Sequence, residues 1–330
     1  MSEVTAVQRP PEPDWLGMTA EELAAYRDAE NRFRASDAAR AVTGEPDPGV
    51  AIHWQDVALP GRQLPVRVYR PAPGRDGEGA DRTELPLVLH VHGGGFVGTA
   101  VQCDWVTSHI AAQLPAVVVS VEHRLLDART PLSAAVDDGW DVLQHVVKHA
   151  AQWGIDPART AVFGESCGAL ISALAAIRAK EAGPHLQAQV LVNPAVDVTE
   201  TMLDHPSVAE YAHTPTLAEP QLRLFQRLAV PAGADARALS PLYADDLKGL
   251  APALVVVPTH DAVADHGRRY AERLQAAGTP TRLTEYPGAG HAFLSMPGLV
   301  EQAEAARTEI LEFLRAALAA RTTHDGRKAQ

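Results

Sequence analysis

With 330 residues, a net charge of −12, and 46% hydrophobic against 21% charged residues, the chain has the composition of a globular protein with a large core. That balance argues against nucleic-acid binding, which needs a basic face, and against adhesion to an anionic membrane surface. Its two cysteines, Cys103 and Cys167, exclude a disulfide framework and suit a reducing cytosol, and no run approaches the roughly 18 apolar residues of a membrane helix.

Residues 1–14 carry Glu3, Arg9 and three prolines without an apolar leader segment, so a soluble, cytoplasmic protein with a disordered or surface-draped start is expected. Thr19-Ala20-Glu21-Glu22 is a capping box that opens a helix running to about Ala35. Leu23, Tyr26 and Phe33 mark its inner stripe, with Arg27, Asp28 and Arg34 outside. Such a helix, set before the first strand with Trp15 and Leu16 ahead of it, serves either as a lid or as a packing helix. Pro46, Pro48 and Gly49 end this segment. From Ile52 the pattern turns to strands: 52–59 and 64–70, split by Pro60-Gly61, read as a hairpin, and polar 71–84 as a surface loop. The run 85–91 is almost wholly apolar, as in a strand buried on both faces, and ends in His92-Gly93-Gly94-Gly95-Phe96.

A helix at 104–114, a strand at 116–121 and a long helix at 131–152 follow, and the Asp156-Pro157 turn brings in a strand near 160–163. Beyond it come a helix at 169–180, strands at 189–192 and 253–257, a helix at 264–277 closed by Gly278, a last strand at 282–286 and a last helix at 300–320. This alternation predicts an α/β fold with eight strands in a mostly parallel sheet and helices on both faces. The stretch from Asp197 to Ala236 breaks the rhythm with a single helix at 217–228, and an insertion of that size after a strand is a candidate substrate-binding cap. The expected organisation is an N-terminal cap segment 1–50, a core in two parts at 51–196 and 237–320, a cap insertion 197–236 and a flexible tail 321–330.

The stretch that organises the chain is Gly164-Glu165-Ser166-Cys167-Gly168, set between a β-prone run and a helix-forming run. Gly-x-Ser-x-Gly in that context is a nucleophile elbow, in which the glycines permit a turn too tight for side chains and push the serine hydroxyl out at the strand end. A serine hydroxyl needs an imidazole to take its proton, and the imidazole needs a carboxylate to hold its tautomer. Asp261, just past the strand at 253–257, is the expected acid; Asp265 falls at a helix start, where a carboxylate has a plain structural reason to be. His291, flanked by glycine on the loop after the last strand, is the expected base. The order Ser166, Asp261, His291 is the order of the hydrolase fold. Gly94 and Gly95, with the N–H of Cys167, would supply backbone donors for a developing oxyanion. No Gly-Lys-Ser/Thr follows the glycines, so a phosphate loop is not expected.

With these residues in place the chain resembles the hormone-sensitive-lipase-like branch of the α/β-hydrolases, the bacterial family IV carboxylesterases, over most of residues 50–318. The resemblance lies in His92-Gly93-Gly94-Gly95, the elbow, Ser240-Pro241-Leu242-Tyr243-Ala244, residues 261–267 and Gly290-His291-Ala292-Phe293. It implies Ser166 as nucleophile, Asp261 and His291 as its partners, Gly94, Gly95 and Cys167 as oxyanion donors, and a helical cap built from both extra segments. It further implies a small-molecule ester as the partner, with no cofactor and no metal; a homodimer is left open. The chain departs from the family around the serine: Glu165 stands for Asp, Cys167-Gly168-Ala169 for Ala-Gly-Gly, His123 for Tyr, Ala262 for Pro and Ala292 for Gly.

The reading is therefore a serine carboxylesterase acting through an acyl-enzyme. The altered neighbours of the serine motivate an alternative, a metabolite-specific amidase, lyase or cyclase on the same scaffold. A third reading is a ligand-binding homologue, although such proteins tend to lose a triad member. Phe96, Trp105 and Trp15 are candidates for the acyl pocket, each with a core role as the competing reading. Cys167 reads as a packed residue beside the apical serine, His145 and His149 as a helix face without a third zinc ligand, and His260 as a loop histidine.

Overall fold

Runs of β-branched residues make the strands of this chain, and the computed structural model, which describes residues 7–72 and 84–319, pairs eight of them into one sheet. β1 (Val50–Leu59) and β2 (Arg62–Pro71) fold back on each other about Gly61, at φ +74°, into an antiparallel hairpin. β2 pairs antiparallel with β4 (Val117–Val121), and from there all pairing is parallel. β3 (Leu85–Val91) lies between β4 and β5 (Ile155–Glu165), and β6 (Ala188–Val192), β7 (Ala253–His260) and β8 (Thr281–Gly290) complete the order β1-β2-β4-β3-β5-β6-β7-β8. The expected tail 321–330 lies outside the described residues, as does most of the expected loop at 71–84 and the first part of the N-terminal stretch.

The parallel strands can be apolar end to end because helices cover both faces. β4 and β6 are buried along their whole length. Successive side chains alternate between the two faces: Leu87, Leu89 and Val91 face one core, and Val88 another. The first core is closed by α4 (Leu132–Lys148) and α6 (Cys167–Ala182), the second by α3 (Asp104–Gln113) and α10 (Gln302–Ala317). α9 (Ala264–Ala276) packs beside α6 over the β6–β7 end of the sheet. The short helices are α2 (Arg40–Thr43), α5 (Ala150–Trp153) and α7 (Pro206–Glu210).

Three local differences from the expected elements have physical causes. The long helix breaks at His149, which leaves helical geometry at φ −105°, ψ 29° while its N–H and Nδ1–H both donate to the His145 carbonyl at 3.0 and 2.8 Å, so α5 is separate and ends at Gly154 in the left-handed region. The insertion holds α7 as well as α8 (Glu219–Ala229), α7 being five residues with Pro206 in its first turn and too short for a periodic signal. In α1 (Ala20–Arg34) the capping box forms as expected, but Arg27 and Arg34 point inward. Arg27 donates to the carbonyls of Phe96 (2.8 Å) and Leu126, and Arg34 to Glu30 (3.0 Å) and Gln102 (2.9 Å). The loop carbonyls beneath α1 need donors, and arginine stems reach them while the helix keeps a polar face.

α2, β2 and α3 are joined by one buried carboxylate. Asp104 accepts from Arg40 (2.8 Å), from Arg67 in a two-pronged pair (2.7 and 2.8 Å) and from the Tyr69 hydroxyl (2.8 Å). Removing a fully desolvated carboxylate leaves its cationic partners uncompensated. Asp104→Ala is expected to lower unfolding free energy by roughly 3–5 kcal/mol, read from urea denaturation.

Candidate active site

The end of β5 and the start of α6 make the turn that carries Ser166. A Cβ on Gly164 would lie 2.1 Å from the Gly168 carbonyl oxygen, and one on Gly168 would lie 2.1 Å from that of Val91, so neither position takes a side chain. Ser166 itself sits at φ 54°, ψ −118°, a conformation an L residue occupies only under constraint. Its N–H donates to the Val192 carbonyl on β6 at 2.9 Å, and its carbonyl accepts from Ala169 and Leu170 at 3.0 and 3.1 Å.

β7 and β8 deliver two more groups to the same edge. His291 follows the last residue of β8 and precedes Ala292, at φ 60°. Its Nε2 lies 2.8 Å from Ser166 Oγ and its Nδ1 lies 2.8 Å from Asp261 Oδ2. Asp261 is fully buried, and its other oxygen accepts the Val263 N–H at 3.0 Å. With Nδ1–H donating to Asp261, Nε2 is left as acceptor for the serine proton. Asp265, the other carboxylate considered, is engaged elsewhere: it accepts from the Ser207 N–H at 2.9 Å and from Arg268 at 3.0 Å.

The glycine loop after β3 flanks Ser166. A Cβ on Gly93 would sit 3.5 Å from that of Ser166. Gly94 is at φ +93°, and a Cβ there would lie 1.7 Å from the Val97 carbonyl oxygen, so the loop conformation requires glycine. Among the described residues the N–H groups of Gly94, Gly95 and Cys167 donate to no protein acceptor. The turn is held from outside by Leu126 N–H on the Gly95 carbonyl (2.8 Å) and Gly98 N–H on Asn31 of α1 (2.9 Å).

One residue of this neighbourhood was not singled out from the pattern. Phe225 of α8 places ring carbons 2.4 and 2.6 Å from where a Cβ on Gly95 would be, with Cys167 Sγ 3.6 Å from the same point. The buried stripe Leu222, Phe225, Ala229 on α8 was the available signal. Thr216 Oγ1 similarly lies 3.7 Å from the corresponding point on Gly290, beside the base. The insertion therefore reaches both the glycine loop and the residue before His291. Phe96 is buried against Trp15, ring centroids 5.5 Å apart. Trp105 stands on α3 under Arg307, whose guanidinium lies 3.7 Å from the ring centroid, beside Gly44 and Pro297. Its place in α3 turns it toward the α10 face of the sheet. His260 stacks on Tyr211 at 5.4 Å, and burial pushes the Cys167 thiol up to about 12, so it stays protonated.

Among the described residues, one set of metal-type donors converges: His90, Cys103 and Glu165, all buried and within 4.8 Å of one another. Two of them are joined by a hydrogen bond, Cys103 Sγ donating to Glu165 at 3.6 Å, while His90 bonds Ser120 through Nδ1 and stands 3.9 Å from Glu165 through Nε2; burial together with Glu165 pushes the thiol well above its ordinary value. An open cleft of about 840 Å³ lies between the hairpin tip at Pro60 and the end of α4 and touches none of the residues around Ser166. No helix among the described residues is long and apolar enough to cross a membrane.

A family model for the α/β-hydrolase fold matches residues 88–295. The chain is 36% identical over 281 residues to carboxylesterase NlhH of Mycobacterium tuberculosis, covering 82% of this chain and 84% of that protein. It is 34% identical over 263 residues to an ethyl acetate hydrolase of Pseudomonas putida, covering 77% and 79%. Among solved structures it resembles EstE1, a thermophilic carboxylesterase from a metagenomic library, with a TM-score of 0.79 and 29% identity over 91% of this chain and 98% of that one.

Buried imidazoles surround the catalytic edge. His92 and His123 stack at 4.4 Å, and burial holds them neutral, at about 3 and about 4; His266 on α9, donating to the Met202 carbonyl, is lowered by burial to about 4. Below the ordinary value of 6.5 the unfolded chain protonates these groups while the folded chain does not, so stability falls as pH drops toward about 4. Glu122, raised by burial, opposes this as a single group. The urea midpoint is expected to be lower at pH 5 than at pH 7, with activity at pH 7 recovered on returning the sample.

Proposed function

The chain belongs to the hormone-sensitive-lipase-like branch of the α/β-hydrolase family, and from that premise we propose that Ser166, His291 and Asp261 carry out its ester hydrolysis. The protein is a serine ester hydrolase. The observation that carries the residue assignment is the unbroken relay Ser166 Oγ to His291 Nε2 and His291 Nδ1 to Asp261, each step 2.8 Å, ending on a serine in a strained turn.

His291 takes the Ser166 proton as Oγ adds to the ester carbonyl carbon. Negative charge forms on the carbonyl oxygen, where the free N–H groups of Gly94, Gly95 and Cys167 receive it without reorganising. The imidazolium, stabilised by buried Asp261, gives its proton to the leaving alcohol oxygen and the acyl-enzyme remains. Water deprotonated by His291 then attacks the acyl carbon, and Ser166 recovers its proton as the carboxylic acid departs.

Residues 1–50 and 197–236 form the cap in this reading. Its support is that Arg27 of α1 bonds the loop carbonyl of Phe96, and that Phe225 and Thr216 of the insertion stand at Gly95 and Gly290. Phe225 fills space over Gly95 and Cys167 where the substituent on the carbonyl carbon must lie, which favours small acyl groups. Two buried, unpaired cysteines fit a reducing compartment, and the cytoplasm is the proposed location.

Ser166→Ala should lower turnover of p-nitrophenyl acetate by roughly 10⁴-fold or more. Wild-type turnover in that variant would overturn the assignment. Phe225→Ala should raise kcat/KM for p-nitrophenyl hexanoate relative to acetate by about tenfold, the order of one or two methylenes accommodated in an apolar pocket.

A further inference from the structure

Directly behind the relay lies a buried hydrogen bond that the mechanism above does not use. Glu165, the residue before Ser166, accepts from the Ser295 hydroxyl at 2.8 Å through Oε2 and from the Cys103 thiol at 3.6 Å through Oε1. All three side chains are buried. Ser295 closes the 3-10 turn Phe293–Ser295, four residues beyond His291, and its N–H donates to the Ala292 carbonyl at 3.0 Å. The bond thus runs from the nucleophile's strand to the turn that follows the base.

Both ends of this connection are strained. Ser166 is at φ 54° and Ala292 at φ 60°, two of the three non-glycine residues with positive φ among those described. Such conformations hold only where surrounding contacts over-determine them. Ser166 has the β6 carbonyl of Val192 and the first turn of α6 to hold it. The turn after His291 has its buried Phe293 and Leu294, which resist removal from the core but set no direction, and the Ser295 hydroxyl, which donates to Glu165 at 2.8 Å and also makes a longer contact of 3.6 Å with Cys103 Sγ.

We propose that Glu165 and Ser295 are positioning residues: their buried hydrogen bond clamps the turn after His291 to the nucleophile elbow and keeps the imidazole within reach of the serine hydroxyl. The proposal rests on the reading of Ser166 and His291 as the reacting pair. It is a matter of geometry and not of the carboxylate's charge. Ser295 and Cys103 are neutral donors, and the nearest imidazole nitrogen, His90 Nε2, stands 3.9 Å away. A carboxamide at residue 165 keeps an acceptor for Ser295 and so should keep the clamp, whereas loss of the Ser295 hydroxyl releases it.

The test uses the full-length protein with p-nitrophenyl acetate, kcat being referred to folded sites titrated to completion with a fluorophosphonate. Ser295→Ala is expected to lower kcat by roughly 10–10²-fold with KM within about twofold, the scale of a misplacement near 1 Å. Glu165→Gln should stay within about threefold of wild type, and the double variant should be no slower than Ser295→Ala alone, because the two residues act through one bond. Ser295→Ala turning over at the wild-type rate would overturn the proposal, as would a change confined to KM. Glu165→Gln as slow as Ser295→Ala would also overturn it, by assigning the effect to charge. An active Ser166→Ala would instead remove the underlying assignment, so the two failures are distinguishable.

Discussion

A side chain at residue 164 would place its Cβ 2.1 Å from the Gly168 carbonyl oxygen, so β5 can pass into α6 above β3 only as bare backbone. That close approach forces the residue at the apex, Ser166, to φ 54° and lifts its hydroxyl above the carboxyl edge of the sheet. The position in the sheet matters as much as the turn. β5 lies between β3 and β6, so the loop after β3 brings Gly93–Gly95 to one side of the serine and the Val192 carbonyl at the end of β6 anchors its N–H on the other. β7 and β8 follow outward in order and hand in first the carboxylate, then the imidazole. In a parallel sheet all strands end at the same edge, so groups far apart in the chain meet there without long loops.

The charges that fix the insertion are of the same buried, fully answered kind as those of the relay. Asp197, just after β6, is a case in which burial works to raise the carboxyl, yet hydrogen bonds from His205, Thr199 and Thr201 win and hold it below the usual carboxylate range. His205 packs on His266 at 4.4 Å, and the start of α7 is fastened to α9 by the Ser207 N–H on Asp265 and to the loop before it by the Ser207 hydroxyl on the Ala262 carbonyl. Asp265 therefore holds the insertion against the loop that carries Asp261. That is why one of two nearby carboxylates meets His291 and the other does not.

Much of this was legible along the chain. The inner strands β3, β4, β6 and β7 announce themselves as apolar runs, because burial on both faces leaves little place for polar residues, and the capping box of α1 forms where Thr19 and Glu22 require it. Where the reading departed from the structure, a long-range partner decided. Arg27 and Arg34 were placed on the outer face of α1 by periodicity, but the Phe96 and Leu126 carbonyls draw Arg27 inward and the side chains of Glu30 and Gln102 draw Arg34. Trp105, near the glycine loop in sequence, is turned by α3 toward Arg307 near the C-terminus. Phe225 carries no motif, and its place at Gly95 depends on how α8 docks.

What the amino-acid sequence determined by itself is local: the glycines that allow the elbow, the alternation that builds a parallel sheet, and the order in which serine, aspartate and histidine emerge at strand ends. These follow from backbone sterics and burial, which act over a few residues. The tertiary structure alone brought Asp261 within reach of His291, set which aromatic ring stands at Gly95, and brought Glu165 to Ser295 behind the serine. Those outcomes rest on distances of 2.8 Å between groups 30 to 130 residues apart, set by how helices and insertion dock on the sheet and not by any pattern in the intervening chain.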